Sequence, residues 1–317
     1  MKVIKPPRLK KGDLISIISP ASAPLDPSKV HNGVRYFESL GYRVTVSKNV
    51  FNVNGYLAGT DEERAEDLNQ AFADKNVRAI ICSRGGYGTP RILDKIDYEN
   101  IKQNPKILVG YSDITALQLS IFRKTGLVTF SGPMIAVEFG VEFGKKIHPF
   151  TEEKFFDMVT RNKKIGPLKS SRDYRFHFRG KTKTQGRLLG GNLSLITSIL
   201  GTEYLPDFFE SVLLLEEVSE EPYSIDRMLT QLRLAGILSQ VSGIALGQFT
   251  NCSAEEPDKP HRTTDEIFKE DLFSFGKPLV SNVPYGHVPI KLTLPLGVLV
   301  SIDPVKKQFS IDEPAVS

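Results

Sequence analysis

Buried strands alternate with amphipathic helices through the first half of the chain. Short apolar runs predict strands at residues 14–18, 42–46, 77–82, 106–109 and 127–130. Helical periodicity covers residues 30–40 and a stretch that opens with a capping box formed by Thr60 and Glu63. Strands separated by helices need crossover connections, so this pattern predicts a mostly parallel sheet with helices on its faces.

The second half is richer in strands. Apolar runs predict strands at residues 212–215, 243–247, 278–283, 292–294, 299–302 and 308–311. One helix is clear, over residues 224–238, because Ile225, Met228, Leu229 and Leu232 share a face. We therefore predict an α/β protein with an N-terminal, mostly parallel sheet flanked by helices and a second, strand-rich C-terminal α/β domain. The predicted domains are residues 1–160 and 181–317, joined by a connection at residues 161–180.

Composition narrows the class of protein. The chain has 317 residues, of which 40% are hydrophobic and 25% charged, an ordinary composition that argues against a disordered protein. A net charge of +4 is too mild to indicate nucleic-acid binding, and no apolar run is long enough to predict a membrane span. The basic N-terminus is interrupted by Pro6, Pro7 and Asp13, unlike a signal peptide. Only Cys82 and Cys252 are present, so we expect no disulfide framework and a cytoplasmic location.

Positive charge is concentrated between Arg161 and Arg187. This stretch holds ten Lys or Arg residues and a single acid, Asp173. A solvated connection between domains is one interpretation, and a rim that attracts an anionic substrate is the other.

Ser112 lies where a predicted strand gives way to a helix, in the sequence Gly110-Tyr111-Ser112-Asp113. A serine at such a turn is exposed next to the free N–H groups of a helix start, as an acyl-transfer nucleophile requires. Alternatively, Ser112 or Asp113 only caps the helix. The glycine-serine-glycine elbow pattern is also incomplete, because Ile114 replaces its second glycine.

Two further glycine turns could contact a ligand. Arg84-Gly85-Gly86-Tyr87-Gly88 follows a predicted strand at the sheet edge where α/β proteins build sites, and it is either an anion site or a plain turn. Gly190-Gly191-Asn192 precedes a helix, with Asn192 as an N-cap or a substrate contact. Neither nucleotide-binding glycine fingerprint is present, which disfavours a nucleotide-dependent enzyme.

A serine nucleophile needs a base and an acid. Among five histidines, His287 stands out because it follows Gly286 in a turn directly after a strand. Glu216 and Glu217 end a buried strand, where carboxylates reach the sheet edge or are simply solvated. No group of His, Cys and acidic residues has metal-ligand spacing, so we predict no metal site.

Together these motifs resemble the LD-carboxypeptidase family, which includes muramoyltetrapeptide carboxypeptidases and microcin C immunity peptidases. The motifs that carry the resemblance follow the family's order across nearly the whole chain. They are Ile18-Ser19-Pro20-Ala21-Ser22, Arg84 to Gly88, Gly110 to Asp113, Gly190-Gly191-Asn192-Leu193, Leu215-Glu216-Glu217, Tyr223 to Leu229, and Gly286-His287.

The resemblance implies a Ser112–His287–Glu216 triad between two domains. The family motif has aspartate where this chain has Glu217, which leaves Glu217 as the alternative acid. The resemblance also implies backbone amides of Gly86 and Asp113 as the oxyanion hole. Candidate substrate contacts are Arg84, Gly85, Asn192 and Arg227.

The implied activity is release of the terminal D-alanine from a murein tetrapeptide through an acyl-enzyme, in cell-wall recycling. We expect a small peptide substrate, no cofactor, no nucleic-acid or membrane partner, and a homodimer. Two alternatives remain: an immunity-type peptidase acting on aminoacyl-nucleotide amides, and a non-catalytic, bilobed ligand-binding protein.

Overall fold

The computed structural model describes residues 2–142, 147–256 and 258–317. In the first half, strands and helices alternate as predicted. The strands are β1 (Leu14–Ile18), β2 (Arg43–Val46), β3 (Val77–Cys82), β4 (Ile107–Gly110) and β5 (Thr129–Ser131). The helices are α1 (Pro27–Ser39), α2 (Asp61–Ala73), α3 (Tyr98–Gln103), α4 (Ile114–Thr125) and α5 (Pro149–Thr160), with a 3₁₀ helix at Thr89–Lys95 and a π-helical turn at Ile135–Phe139.

The second half contains more strands than helices. Its strands are β6 (Gly166–Pro167), β7 (His177–Arg179), β8 (Thr184–Asn192), β9 (Val212–Val218), β10 (Gly243–Thr250), β11 (Leu279–Ser281), β12 (Leu294–Leu296), β13 (Leu299–Asp303) and β14 (Gln308–Ile311). Its helices are α6 (Leu193–Ser198), α7 (Pro222–Leu234), α8 (Ile237–Gln240) and α9 (Thr264–Asp271), with a 3₁₀ turn at Phe273–Phe275.

Local sequence signals account for the starts of α1, α2 and α9. Asp26 caps α1 by accepting from the Ser28 amide, and Pro follows at the first helical position. The capping box predicted from Thr60 and Glu63 opens α2, with both reciprocal hydrogen bonds present. A second capping box, between Thr263 and Glu266, opens α9.

Two sheets organise the chain, and the predicted fold class is confirmed. The first sheet has the order β12-β5-β4-β3-β1-β2, in which β1 to β5 are parallel. The second has the order β6-β14-β13-β8-β9-β10-β11-β7, with β8 to β11 parallel and the outer strands antiparallel. Because β12 pairs with β5, a late segment of the chain completes the first sheet. The predicted division into residues 1–160, 161–180 and 181–317 stays a prediction.

The basic stretch between Arg161 and Arg187 crosses the second sheet from edge to edge. It contains β6, which pairs with β14, and β7, which pairs with β11 at the opposite edge. The apolar pattern did not predict β6, β7 or β8. The two edge strands β6 and β7 are short, and β8 begins with polar residues. Its ten cationic residues are exposed except for the half-buried Arg187. The described part of the chain contains no helix long and apolar enough to cross a bilayer.

Candidate active site

Ser112 occupies a sharp turn between the carboxyl end of β4 and the start of α4. Its φ of 66° lies in the left-handed region, which a serine adopts only at a conformational cost. Gly110 permits the turn, because a Cβ there would lie 2.9 Å from the side chain of Ile114. Ser112 itself is half-buried, so the fold presents its hydroxyl at the edge of the first sheet.

His287 joins Ser112 to Glu216. Its Nε2 lies 3.0 Å from the Ser112 Oγ, and its Nδ1 lies 2.9 Å from the Glu216 Oε2. A carboxylate can only accept, so the proton resides on Nδ1 and leaves Nε2 to accept from the serine hydroxyl. The predicted Ser112, His287 and Glu216 therefore form one continuous hydrogen-bonded chain.

The Glu216 side chain is fully buried in the interior of the second sheet, whereas the His287 side chain is 23% exposed. Gly286, with a φ of +104°, lets the histidine loop approach, since a Cβ there would fall 2.5 Å from the Glu216 Oε2. The other carboxylate oxygen, Oε1, has no hydrogen-bond partner among the described residues. Burial places the Glu216 carboxylate in a low-dielectric environment, in which its negative charge can stabilise an imidazolium strongly.

Glu217 faces away from His287. Its carboxylate accepts from the Asn192 side chain at 2.7 Å, and from the Ser194 amide and hydroxyl at 2.8 and 2.6 Å. Burial raises the pKa of Glu217. Adjacent strand residues point to opposite faces, which is why only Glu216 reaches the histidine. Glu217 instead secures the start of α6.

The glycine turn after β3 lies against Ser112. A Cβ on Gly85 would sit 2.9 Å from the Ser112 Cβ, and Gly86 has a φ of +114°. The Asp113 carboxylate accepts from the Thr89 amide at 2.8 Å and the Gly88 amide at 3.2 Å, so it ties this turn to the serine turn. Burial raises the pKa of Asp113. The two turns are thereby held as one unit.

The amides of Gly86 and Asp113 are available to a ligand. Neither N–H donates to a protein acceptor within residues 2–142, 147–256 and 258–317. Both belong to the two turns that meet at Ser112, which is the arrangement an oxyanion hole needs.

The predicted substrate contacts differ in their surroundings. Gly85 contacts Ser112, whereas the half-buried Arg84 extends toward the Ala23 carbonyl, 3.5 Å away. Asn192 is the N-cap of α6, where its Oδ1 accepts from the Leu195 amide and its Nδ2 donates to Glu217. Of the two predicted roles of Asn192, the structure shows the N-cap of α6. Its role as a substrate contact stays a prediction, as do those of Arg84 and Arg227.

Arg227 is exposed on α7. Its guanidinium donates to the Ser224 hydroxyl at 3.2 Å and lies 5.7 Å from the ring centre of the exposed Tyr223. Tyr223 lies in the motif that carried the family resemblance.

Sequence patterns did not identify a polar cluster beside His287. The Tyr111 ring packs edge-on against the imidazole, with ring centres 5.2 Å apart. The Tyr111 hydroxyl donates to Glu138 at 3.0 Å, and Glu138 is ion-paired with Lys291. A single charged residue inside an apolar run was the available signal, since Glu138 lies in Ile135–Phe139 and Lys291 lies just before Leu292.

A cavity of about 500 Å³ opens at His287. Its lining includes Tyr111, Glu138, His148 and Lys291, with Val288 and Pro289 supplying apolar surface. A cavity of about 670 Å³ lies at the carboxyl end of β10, lined by His177, Gln248 and Phe249 among others. Within the described ranges, no group of three His, Cys, Asp or Glu side chains could hold a metal ion.

Comparison with known proteins agrees with this architecture. The profile of the LD-carboxypeptidase N-terminal domain matches residues 15–132, and that of the C-terminal domain matches residues 185–302. The chain is 37% identical to a probable murein peptide carboxypeptidase of Bacillus subtilis, over 97% of this chain and 94% of that protein.

Solved structures agree as well. The microcin C7 self-immunity protein MccF, in complex with aspartyl sulfamoyl adenosine, superposes with a TM-score of 0.88 at 30% identity, covering 99% of this chain and 100% of that one. A muramoyltetrapeptide carboxypeptidase from Oxalobacter formigenes gives a TM-score of 0.80 at 29% identity, covering 95% and 98%. With both of its domains matched in order around these turns, the chain belongs to the LD-carboxypeptidase family of peptidases.

Proposed function

We propose that this protein is a serine-type LD-carboxypeptidase that releases the terminal D-alanine from murein tetrapeptides. The observation that carries the serine mechanism is the hydrogen-bonded chain from Ser112 through His287 to Glu216, at 3.0 and 2.9 Å. The strained φ of Ser112 supports it, because a residue that only capped a helix would have no need of that conformation.

The mechanism follows from these groups. His287 accepts the Ser112 proton at Nε2 while the serine oxygen attacks the amide carbonyl carbon. The amides of Gly86 and Asp113 donate to the developing oxyanion. As the intermediate collapses, the C–N bond breaks, His287 gives its proton to the leaving amine, and the acyl group stays on Ser112. Water then repeats the sequence, with His287 again as the base, and releases the shortened peptide.

The substrate is suggested by relatives and by charge. The Bacillus subtilis relative is named as a probable murein peptide carboxypeptidase, and a relative from Pseudomonas aeruginosa, 30% identical, is named as a murein tetrapeptide carboxypeptidase. The exposed cations between Arg161 and Arg187 favour approach of a peptide with several free carboxylates. The cytoplasm, cell-wall recycling and a homodimeric assembly belong to this proposal.

A second candidate is an immunity-type peptidase. The observation that favours it is the TM-score of 0.88 to MccF bound to aspartyl sulfamoyl adenosine. The absence of tryptophan removes one stacking residue for a nucleobase, although ten tyrosines and nineteen phenylalanines could replace it. We therefore rank the murein tetrapeptide first.

Side-by-side assays test the proposal. Purified protein is incubated with a murein tetrapeptide and with an aminoacyl-sulfamoyl adenylate, and kcat/KM is measured for each. We expect D-alanine release with the larger kcat/KM; a larger value for the adenylate would indicate the immunity-type activity. Labelling of Ser112 by a fluorophosphonate tests the serine mechanism separately, and a protein with neither turnover nor label would be a ligand-binding protein.

A further inference from the structure

Three segments distant in sequence meet beside His287. Tyr111 directly precedes Ser112, Glu138 lies on the turn Ile135–Phe139, and Lys291 follows His287 by four residues. Glu138 accepts from the Tyr111 hydroxyl and from Lys291, and its second oxygen accepts from the Met134 amide at 2.8 Å. The cluster therefore links the serine turn to the histidine loop.

The pair of charges is almost completely buried. The side chains of Lys291 and Glu138 are only 2% and 8% exposed. A buried ion pair contributes little to stability compared with apolar residues of the same shape, because both ions lose their hydration. Its best-attested use is to specify one arrangement of the elements that carry it.

The pair and His287 contact the same aromatic ring, that of Tyr111. The Lys291 Nζ lies 3.8 Å from the centre of the Tyr111 ring. The centre of the His287 imidazole lies 5.2 Å from the same ring centre. Burial and the charge of Glu138 raise the pKa of Tyr111 well above its ordinary value, so the phenol stays neutral and keeps donating to Glu138. The position of the ring is thus fixed by an ion pair.

We propose that Lys291 and Glu138 are positioning residues, which hold His287 in line with Ser112 and balance the charge around the imidazole. This inference rests on the proposed serine mechanism and adds a role for residues outside the triad. Glu138 alone would favour a protonated, inactive imidazolium, and Lys291 alone would oppose its formation during catalysis. The intact pair leaves the imidazole free to take up and return the Ser112 proton.

Other titratable groups also face the imidazole. Glu216 on β9 bonds to its Nδ1, Tyr111 packs on its face, and His148 lines the same cavity. Neither substitution changes Glu216 or His148, and the Tyr111 phenol carries no charge, so opposite shifts in the two variants identify the pair as their source.

The test measures the rate at which a fluorophosphonate labels Ser112 across a range of pH, which requires no knowledge of the substrate. Lys291→Met leaves Glu138 unbalanced, and we expect the pH of half-maximal labelling to rise by roughly half a unit to one unit. Glu138→Gln leaves Lys291 unbalanced, and the midpoint should fall by a similar amount. The double variant should return it close to the wild-type value, while all three label about 10- to 100-fold more slowly at their plateau through lost alignment.

Two further variants separate positioning from folding. Lys291→Arg keeps the charge and should keep the midpoint, with melting curves recorded for every variant. Lys106→Met is the matched control, since Lys106 is also buried but precedes β4 at the end opposite Ser112, where it donates to the Asp74 and Val77 carbonyls. It should lose stability without moving the midpoint.

The outcomes distinguish this inference from the proposed function. Wild-type protein that never labels overturns both. Wild-type protein that labels normally, with single variants whose midpoints stay put or move in the same direction, overturns only the role of the pair. Should Lys291→Met not fold, the downward shift in Glu138→Gln and its absence in Lys106→Met decide the question.

Discussion

The serine side and the histidine side of the site are built in different ways. On the serine side, residues 84–89 and 110–113 present their groups through backbone conformation: a left-handed Ser112, a positive φ at Gly86, and the amides of Gly86 and Asp113, which have no acceptor in the part of the chain that the structure describes. On the histidine side, side-chain contacts orient the catalytic group: His287 lies in a loop, and its imidazole is oriented by hydrogen bonds to Glu216 and Ser112. Each turn of the first arrangement is local in sequence and the two turns are bridged over 24 to 25 positions, while the second arrangement depends on contacts between residues 71 and 175 positions apart.

This difference predicts different responses to substitution. Changes on the serine side should act by removing the nucleophile itself or by loosening the backbone turns that carry it. Changes on the histidine side should act through lost hydrogen bonds and unbalanced charge.

The largest effect is expected for Ser112→Ala. The hydroxyl is half-buried at a turn and contributes little to packing, so turnover should fall by on the order of 10⁴-fold or more with the fold intact. Peptide release and thermal melting are measured together, with Ser194→Ala as a control serine at a helix start. Activity within tenfold of wild type would exclude Ser112 as the nucleophile.

Neighbouring glutamates sharpen the comparison on the histidine side. Glu216→Gln should reduce kcat by roughly 10²- to 10⁴-fold, because the amide cannot stabilise the imidazolium as a carboxylate does. Glu217→Gln should reduce kcat much less and lower stability instead, since Glu217 bonds to Asn192 and Ser194 at the start of α6. Kinetics and melting of the two variants are compared. The reverse ranking in kcat would make Glu217 the acid of the triad.

Asp113→Asn tests a side-chain link between the two turns of the serine side. Asn offers one acceptor oxygen and turns its NH2 donor toward the other amide, whereas both oxygens of a carboxyl group, protonated or not, can accept from the Gly88 and Thr89 amides. We therefore expect a loss of about 1–3 kcal/mol in the free energy of unfolding. Burial raises the pKa of Asp113, so the folded state holds its proton more tightly than the unfolded state. The stabilisation from this group is therefore complete below its ordinary pKa and is lost as pH rises through the raised value.

Urea unfolding of wild type and Asp113→Asn over a pH series measures this effect. The advantage of wild type should be greatest at low pH and should shrink as the pH rises. An advantage that grows with pH would mean that hydrogen bonds to the carboxylate outweigh its burial.

The smallest effect is expected from chelation. Neither side of the site needs a metal in the proposed mechanism, so EDTA should leave kcat/KM for the peptide unchanged. The measurement uses peptide release before and after dialysis against EDTA, with added zinc as the companion sample. Inactivation by EDTA that zinc restores would replace the serine mechanism with a metal-assisted one.

Most of the serine side could be predicted from local sequence. The strand ending at Gly110, the helix starting at Ile114 and the glycines after β3 each leave a local signal, because turns and helix starts depend on neighbouring residues. Glu138 and Lys291 left only the weaker signal of a charge inside an apolar run, and no pattern showed that they pair. The strand β8 was missed because its polar start and terminal glycines hide a run that is buried between β9 and β13.

By itself, the sequence determined the fold class, the position of the serine turn and, through ordered motifs, the family. The family resemblance named Glu216 and left Glu217 as the alternative, and the tertiary structure shows that Glu216 is the one that meets His287, since this depends on which face of β9 lies toward the histidine loop. Tertiary structure also decided that Asn192 caps α6 and that Lys291, Glu138 and Tyr111 assemble beside the imidazole. Local signals extend over a few residues, whereas these contacts form only when strands from both sheets bring distant segments together.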